Sequence, residues 1–118
     1  MGLNNMVVSY GFGQMGSAYL ADGTAFTPPT GSVIVAIQCL ATTTFDALTP
    51  DTSGYVDAAG SVGSVAYIGT TAVVGGNGTG ADAVATTYAF TKGTSLFGRW
   101  TGLELGSGQV IMHFAPAV

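Results

Sequence analysis

The chain has 118 residues, of which two are cationic, Lys92 and Arg99, and six are Asp or Glu. An ordinary soluble domain is about a quarter charged, whereas this chain is 7% charged, has a formal net charge of −4 and contains 19 glycines. Nucleic-acid binding and adsorption to an anionic membrane both need several cations, so the composition argues against both, and the length predicts one β domain over 1–118.

The first third of the chain predicts short strands separated by turns. Residues 6–12 place apolar side chains at every second position, which predicts a strand, and Ser17–Leu20 predicts a second one. Ala21–Thr24 contains an aspartate followed by a glycine and predicts a turn, because glycine reaches a positive φ at little cost. Thr27–Gly31 contains two prolines, which cannot lie within a central strand.

Residues 32–40 give the strongest strand prediction. They are apolar on both parities, which predicts a central strand covered on both faces, and residues 42–45 are expected to extend it. The stretch 46–60 holds three aspartates, one proline and two glycines and predicts a long exposed loop. Loop carboxylates can hold calcium, but the spacing does not match an EF-hand loop, so a solvated loop is the favoured interpretation.

The second half of the chain predicts further strands. Short strands are expected at 64–68, 71–74 and 84–90, around a glycine-rich loop. Ser95–Leu105 and Gln109–Ala115 flank three turn residues and predict a β-hairpin. Six or more strands in one domain predict an all-β fold, which is a single-domain antiparallel β-sandwich or a small β-barrel with Gly/Thr-rich loops.

Few residues are candidates for chemistry. Cys39 lies in the apolar stretch, where a small buried hydrophobe is favoured over a catalytic thiolate, and His113 is the only histidine. Gly11–Gly16 has the letters of a dinucleotide-binding motif, but no helix is expected after it. We therefore expect no enzyme, with no catalytic residue, no cofactor and no bound metal.

Binding residues are expected among the aromatic and charged side chains instead. The tyrosines and the tryptophan could form a sugar-stacking platform, but aromatic residues in strands are more often core or subunit-interface residues, and that interpretation is favoured. Tyr55, in the predicted loop, is the candidate ligand contact. The predicted hairpin carries the candidate interface residues Phe97, Arg99, Trp100 and Glu104. Arg99 matters most among them, because an arginine can bridge subunits by bidentate contact with a carboxylate.

The C-terminal quarter of the chain resembles a known family. The run from Phe90 to Thr101 has a glycine-threonine entry and then a strand of the form aromatic, glycine, arginine, aromatic, threonine. Leu103–Ile111 adds a serine-glycine turn and the start of an apolar last strand. These features resemble the C-terminus of small structural proteins of tailed bacteriophages, which are typically encoded among head genes and decorate or cement the capsid.

The resemblance implies an all-β virion protein that is made in the host cytoplasm and binds the capsid exterior. Its expected partners are the major capsid protein and further copies of itself, in a homo-oligomer for which a trimer is favoured, with no nucleic acid and no membrane. The low charge agrees with this, because copies repel one another weakly and closed cyclic assemblies are the usual outcome of self-association. The alternative function is a glycan- or receptor-binding tail or fibre module that uses Tyr55.

Overall fold

The computed structural model describes residues 15–51, 67–72, 77 and 79–117, and these residues form strands, turns and loops. The strands are β1 (Ser17–Leu20), β2 (Ser32–Cys39), β3 (Thr44–Pro50), β4 (Ser95–Ser107) and β5 (Val110–Pro116). They form one antiparallel sheet in the order β1-β5-β2-β4-β3. The prediction of a small antiparallel all-β domain is confirmed. Within the described ranges, no helix is long and apolar enough to cross a membrane.

β2 lies at the centre of the sheet, between β5 and β4. Its Ile37 pairs with Met112 on one side and with Leu96 on the other. Ile34 and Ile37 are fully buried, whereas Gln38 is exposed on the opposite face. The prediction of a central strand is therefore confirmed, but its coverage on both faces is only partial.

β4 pairs with a different strand along each half of its length. The half before Trp100 pairs with β2, and the half after it pairs with β3. Trp100 itself lies opposite both Ile34 and Pro50, and the register shifts beside each of these two residues. Gly98 and Gly102 flank this point, and glycine within a strand often marks a tight bend.

Hydrogen bonds at the two ends of β4 show that the strand doubles back. The Cys39 N–H donates to the Thr94 carbonyl just before β4 (2.9 Å), and the Leu40 N–H donates to the Gln109 carbonyl just after it (2.8 Å). The 13 residues of β4 would span about 43 Å if straight, yet both ends lie beside the same end of β2. The sheet therefore curls around its core instead of lying flat.

The prediction of a C-terminal hairpin is wrong. β4 and β5 are consecutive in the chain, but β2 lies between them in the sheet, and each pairs with β2 rather than with the other. Gly108, in the short connection, has a φ of +93°, as a glycine turn requires. The connection from β4 to β5 nevertheless does not close a hairpin. Because β4 doubles back, the connection passes the end of β2, and β5 then pairs with the side of β2 that the first half of β4 does not occupy.

Three other local predictions are wrong. Residues 42–45 do not extend β2, since the chain turns at 40–43 and then begins β3. The first part of the predicted 46–60 loop belongs to β3. Residues 84–90 form no strand; Phe90 bridges to Thr43, and the Val84 N–H donates to the Gly69 carbonyl. The predicted strand at 6–12, and most of those at 64–68 and 71–74, lie outside the described residues.

The core lies inside the curl of the sheet. It consists of Ile34, Ile37, Cys39, Phe45, Leu48, Trp100, Leu103, Leu105, Val110, Met112 and Phe114. Phe26, which bridges to Leu103, stacks its ring on that of Phe114 with the centroids 5.9 Å apart. Full burial of one large apolar side chain contributes about 1.5–3 kcal/mol, so this cluster is the main source of stability.

Candidate interaction surface

One face of the sheet points away from the core. We call it the outer face, and the register of β1, β5, β2 and the first half of β4 aligns its side chains in two rows. The first row is Tyr19, Ile111, Gln38 and Ser95, and the second is Ser17, His113, Ala36 and Phe97. These eight side chains include no Asp, Glu, Lys or Arg. The outer face is therefore composed of apolar and neutral-polar side chains together with the imidazole of His113.

Two aromatic rings of the outer face are open to solvent. Phe97 is 77% exposed and Tyr19 is 60% exposed, at opposite ends of the two rows. Between them, His113 Nε2 lies 3.3 Å from Gln38 Oε1. Interfaces between proteins are enriched in aromatic residues and depleted of charge at their centres, so the outer face has the composition of an interface.

Arg99 has its contacts within the chain. Its Nε donates to Asp51 Oδ2 at 3.3 Å and its Nη2 donates to the Pro116 carbonyl at 2.9 Å. The Asp51 N–H in turn donates to the Arg99 carbonyl at 2.8 Å. Asp51 is buried, which corrects its predicted place in an exposed loop, and the pair ties the end of β3 to β4 and β5. A contact between Arg99 and a neighbouring subunit stays a prediction.

Replacing Arg99 with alanine is expected to lower the free energy of unfolding by about 1–3 kcal/mol, because hydrogen bonds to a buried carboxylate and to a carbonyl are lost. Lys92→Ala is the matched control, since it removes the other cation from an exposed position. Urea denaturation of both variants measures the difference. Equal losses in the two variants would show that net charge, and not the ion pair, is responsible.

The other candidate residues from the sequence are dispersed. Trp100 is fully buried and its indole N–H donates to the Ile68 carbonyl at 2.7 Å, so its side chain forms part of the core. Glu104 lies opposite Ala47, on the second half of β4, and is partly exposed. Tyr55 lies outside the described residues. Of the predicted interface set, the structure places Phe97 on the outer face.

A groove lies beside the first half of β4 and was not found from the sequence. Its volume is about 450 Å³, and the residues that line it include Tyr67, Ile68, Asn77, Asp82 and Phe97. Asn77 Nδ2 donates to the Tyr67 carbonyl at 3.2 Å, which joins two of the contributing segments. Sequence reasoning missed the groove because segments far apart in the chain build it.

Cys39 and His113, the side chains with the most reactive groups, are not brought together. Cys39 is buried in the core and His113 lies on the outer face. Burial raises the pKa of the Cys39 thiol, and a hydrogen bond with Thr43 opposes this to a smaller extent. In the described part of the chain, no group of three His, Cys, Asp or Glu side chains is arranged to hold a metal ion.

Cys39 is expected to resist alkylation by N-ethylmaleimide in the folded protein, because the thiolate is the reactive form and both burial and a raised pKa limit it. Native protein should react at least about 100-fold more slowly than urea-unfolded protein, as followed by mass spectrometry. Stability should also fall as the pH rises above the ordinary thiol value of 9.0, because the folded state holds the thiol proton more tightly than the unfolded chain. Equal native and unfolded alkylation rates would contradict the buried position.

The outer face and the groove together offer aromatic rings, amides, hydroxyls and a carboxylate. Such groups bind through apolar burial and directed hydrogen bonds. Comparison of the chain with known protein families, curated proteins and solved structures finds no match in any of the three, so its function is argued from these two surfaces.

Proposed function

We propose that this protein is a non-enzymatic structural protein of a virion that decorates or cements the capsid of a tailed phage. The observation that carries the proposal is the outer face, with its exposed Phe97 and Tyr19 and its two rows of side chains that include no Asp, Glu, Lys or Arg. An exposed apolar surface of this kind favours burial against another protein over hydration. The resemblance of the C-terminal quarter to small phage structural proteins suggests which protein that is.

A symmetric capsid repeats the same binding position many times, so each copy of this protein needs only a small contact face. A face of eight side chains makes a limited contact by itself, but a closed homo-oligomer presents several copies of it at once. Binding at several points raises the overall affinity well above that of one contact. A trimer is the favoured assembly, with the major capsid protein as the partner of the outer face.

The proposal is tested first on particles. Virions made by the genome that encodes this chain should contain the protein in many copies, as measured by quantitative mass spectrometry. Purified protein should also sediment with capsids from which it has been removed. Absence of the protein from the virions would overturn the proposal.

The role of the outer face is tested with two variants and a control. Tyr19→Glu and Phe97→Glu each place an unpaired charge in the contact, where desolvation is costly. Each should reduce the capsid-bound fraction at least about ten-fold. Thr49→Glu adds the same charge at an exposed position of β3, the edge strand on the far side of the sheet, and should bind as the unmodified protein does. Unchanged binding by Phe97→Glu would show that another surface contacts the shell.

A further inference from the structure

The backbone of the first half of β4 has one side that no described strand covers. Backbone groups of successive residues in a strand point to alternate sides. The Thr94 carbonyl points toward β2, where it accepts from the Cys39 N–H, and the Arg99 carbonyl points the other way, where it accepts from the Asp51 N–H. These two hydrogen bonds fix the side that each residue between them faces.

Alternating residue by residue from either of these hydrogen bonds gives the same result. Ser95 and Phe97 direct their N–H and C=O groups away from β2. β3 pairs with β4 only from Trp100 onward, so it does not reach these two residues. Among the described residues, no hydrogen bond to the backbone of Ser95 or Phe97 comes from that side. With respect to the described residues, β4 therefore presents a short unpaired strand edge at Ser95 and Phe97.

The unpaired edge faces the groove of about 450 Å³ described above. Ile68 and Phe97 supply apolar walls, both exposed, and Asp82 supplies a carboxylate on an exposed loop. Hydrogen-bonding groups of a strand and pockets for side chains thus lie together. Recognition by strand addition needs both, since main-chain hydrogen bonds supply affinity and side-chain pockets supply specificity.

We propose that this edge binds an extended peptide segment of a partner protein, which adds to the sheet beside β4 and places a basic side chain near Asp82. The N–H and C=O groups of Phe97 and Ser95 pair with the peptide backbone, and an aliphatic side chain of the peptide enters between Ile68 and Phe97. The Asp82 carboxylate at the groove and the net charge of −4 favour a basic peptide. Phe97 belongs to both surfaces, but the peptide also uses backbone groups of β4 that the outer face does not use, so a comparison of Phe97→Pro with Phe97→Ala tests the edge separately from the outer face.

The probe comes from selection of random phage-displayed peptides on the purified protein. The enriched peptides should be rich in β-branched residues, which favour extended structure, and should carry a lysine or arginine. The strongest binder, made synthetically, is then added to isotope-labelled protein. The amide hydrogens of Ser95 and Phe97 should become protected from exchange with solvent, as measured by NMR, whereas the exposed amide of Asp22 should not change.

Two substitutions at one position isolate the backbone donor. Phe97→Pro removes the outward N–H without breaking a bond to β2, and proline is tolerated at such an edge. Phe97→Ala also loses the ring but keeps the N–H. The proline variant should bind the synthetic peptide at least about five-fold more weakly than the alanine variant. Asp82→Asn should weaken binding of the basic peptide about two- to five-fold and leave binding of a matched peptide with a neutral residue in place of the cation unchanged.

Several results would overturn the proposal. One is equal affinity of the proline and alanine variants, and another is a failure of any peptide to be enriched. Protection of the Phe97 amide before peptide is added would show that the edge is already occupied. If the protein doubles its molecular mass in solution and Phe97→Pro abolishes this dimer, the edge binds a second copy of the chain instead.

Discussion

Replacing Trp100 with alanine is expected to lower the free energy of unfolding by about 3–5 kcal/mol. The side chain is fully buried at the point where β4 bends, opposite Ile34 and Pro50, and it donates to the Ile68 carbonyl. The substitution leaves a cavity between the two halves of β4 and removes the donor from that carbonyl. A small domain is stable by only about 5–15 kcal/mol in total, so this variant should be close to unfolding.

Urea denaturation followed by far-ultraviolet circular dichroism measures the loss, because Trp100 is the only tryptophan and its fluorescence disappears with it. Trp100→Phe is the matched control, since it keeps an aromatic ring and removes the indole N–H. Its expected loss is about 1–3 kcal/mol, mainly from the unsatisfied carbonyl. A loss below about 1 kcal/mol in the alanine variant would contradict the position of this ring at the centre of the core.

The sequence predicts where the chain is extended better than it predicts which strands pair. β2 is apolar on both parities, and Ile34, Ile37 and Val33 are all buried. β5 alternates because Val110, Met112 and Phe114 all face the core. Both patterns follow from the period of two in a single strand, so they are visible without knowledge of any partner strand.

Strand pairing could not be predicted, because it depends on contacts between distant residues. The glycine turn before β5 indicates a hairpin locally, but the doubled-back β4 places β2 between the two strands. The bend also reverses the parity of β4, so that Trp100 and Leu103 are both buried, although residues three apart in a regular strand lie on opposite faces. Residues 84–90 alternate in the same way and form no strand, because no described strand pairs along them; Phe90 bridges to Thr43, and the Val84 N–H donates to the Gly69 carbonyl.

For the candidate surfaces, too, features set by neighbouring residues were predictable from the sequence, and features set by contacts between distant residues were not. The sequence predicts an interface role for Phe97 from its place on the predicted hairpin, and the structure exposes its side chain. The pair of Arg99 and Asp51 joins positions 48 residues apart, which spacing alone does not reveal. The groove requires β4 to lie beside 67–68 and 81–82, and this follows only from the three-dimensional fold.

Gly108→Ala is expected to lower the free energy of unfolding by about 2–6 kcal/mol. The φ of +93° strains any L side chain, at a cost of about 1–3 kcal/mol. A Cβ atom here would also lie 2.6 Å from the Thr42 carbonyl oxygen and 2.7 Å from the Thr43 Cα, and such overpacking costs about 1–3 kcal/mol more. Residue 43 cannot move away easily, because two backbone hydrogen bonds of 2.9 and 2.8 Å tie it to Phe90.

The control for Gly108→Ala separates backbone strain from close packing. Gly93 has nearly the same φ, +91°, but a Cβ atom at this position would meet nothing within 4 Å. Gly93→Ala should therefore cost only the strain, about 1–3 kcal/mol, in the same urea titration. Equal losses of unfolding free energy in the two variants would contradict the packing of the β4–β5 connection against residues 42–43. A hairpin turn that projected into solvent would give that result. A larger loss at Gly108 is expected because the connection crosses the end of β2 and is held against the neighbouring turn.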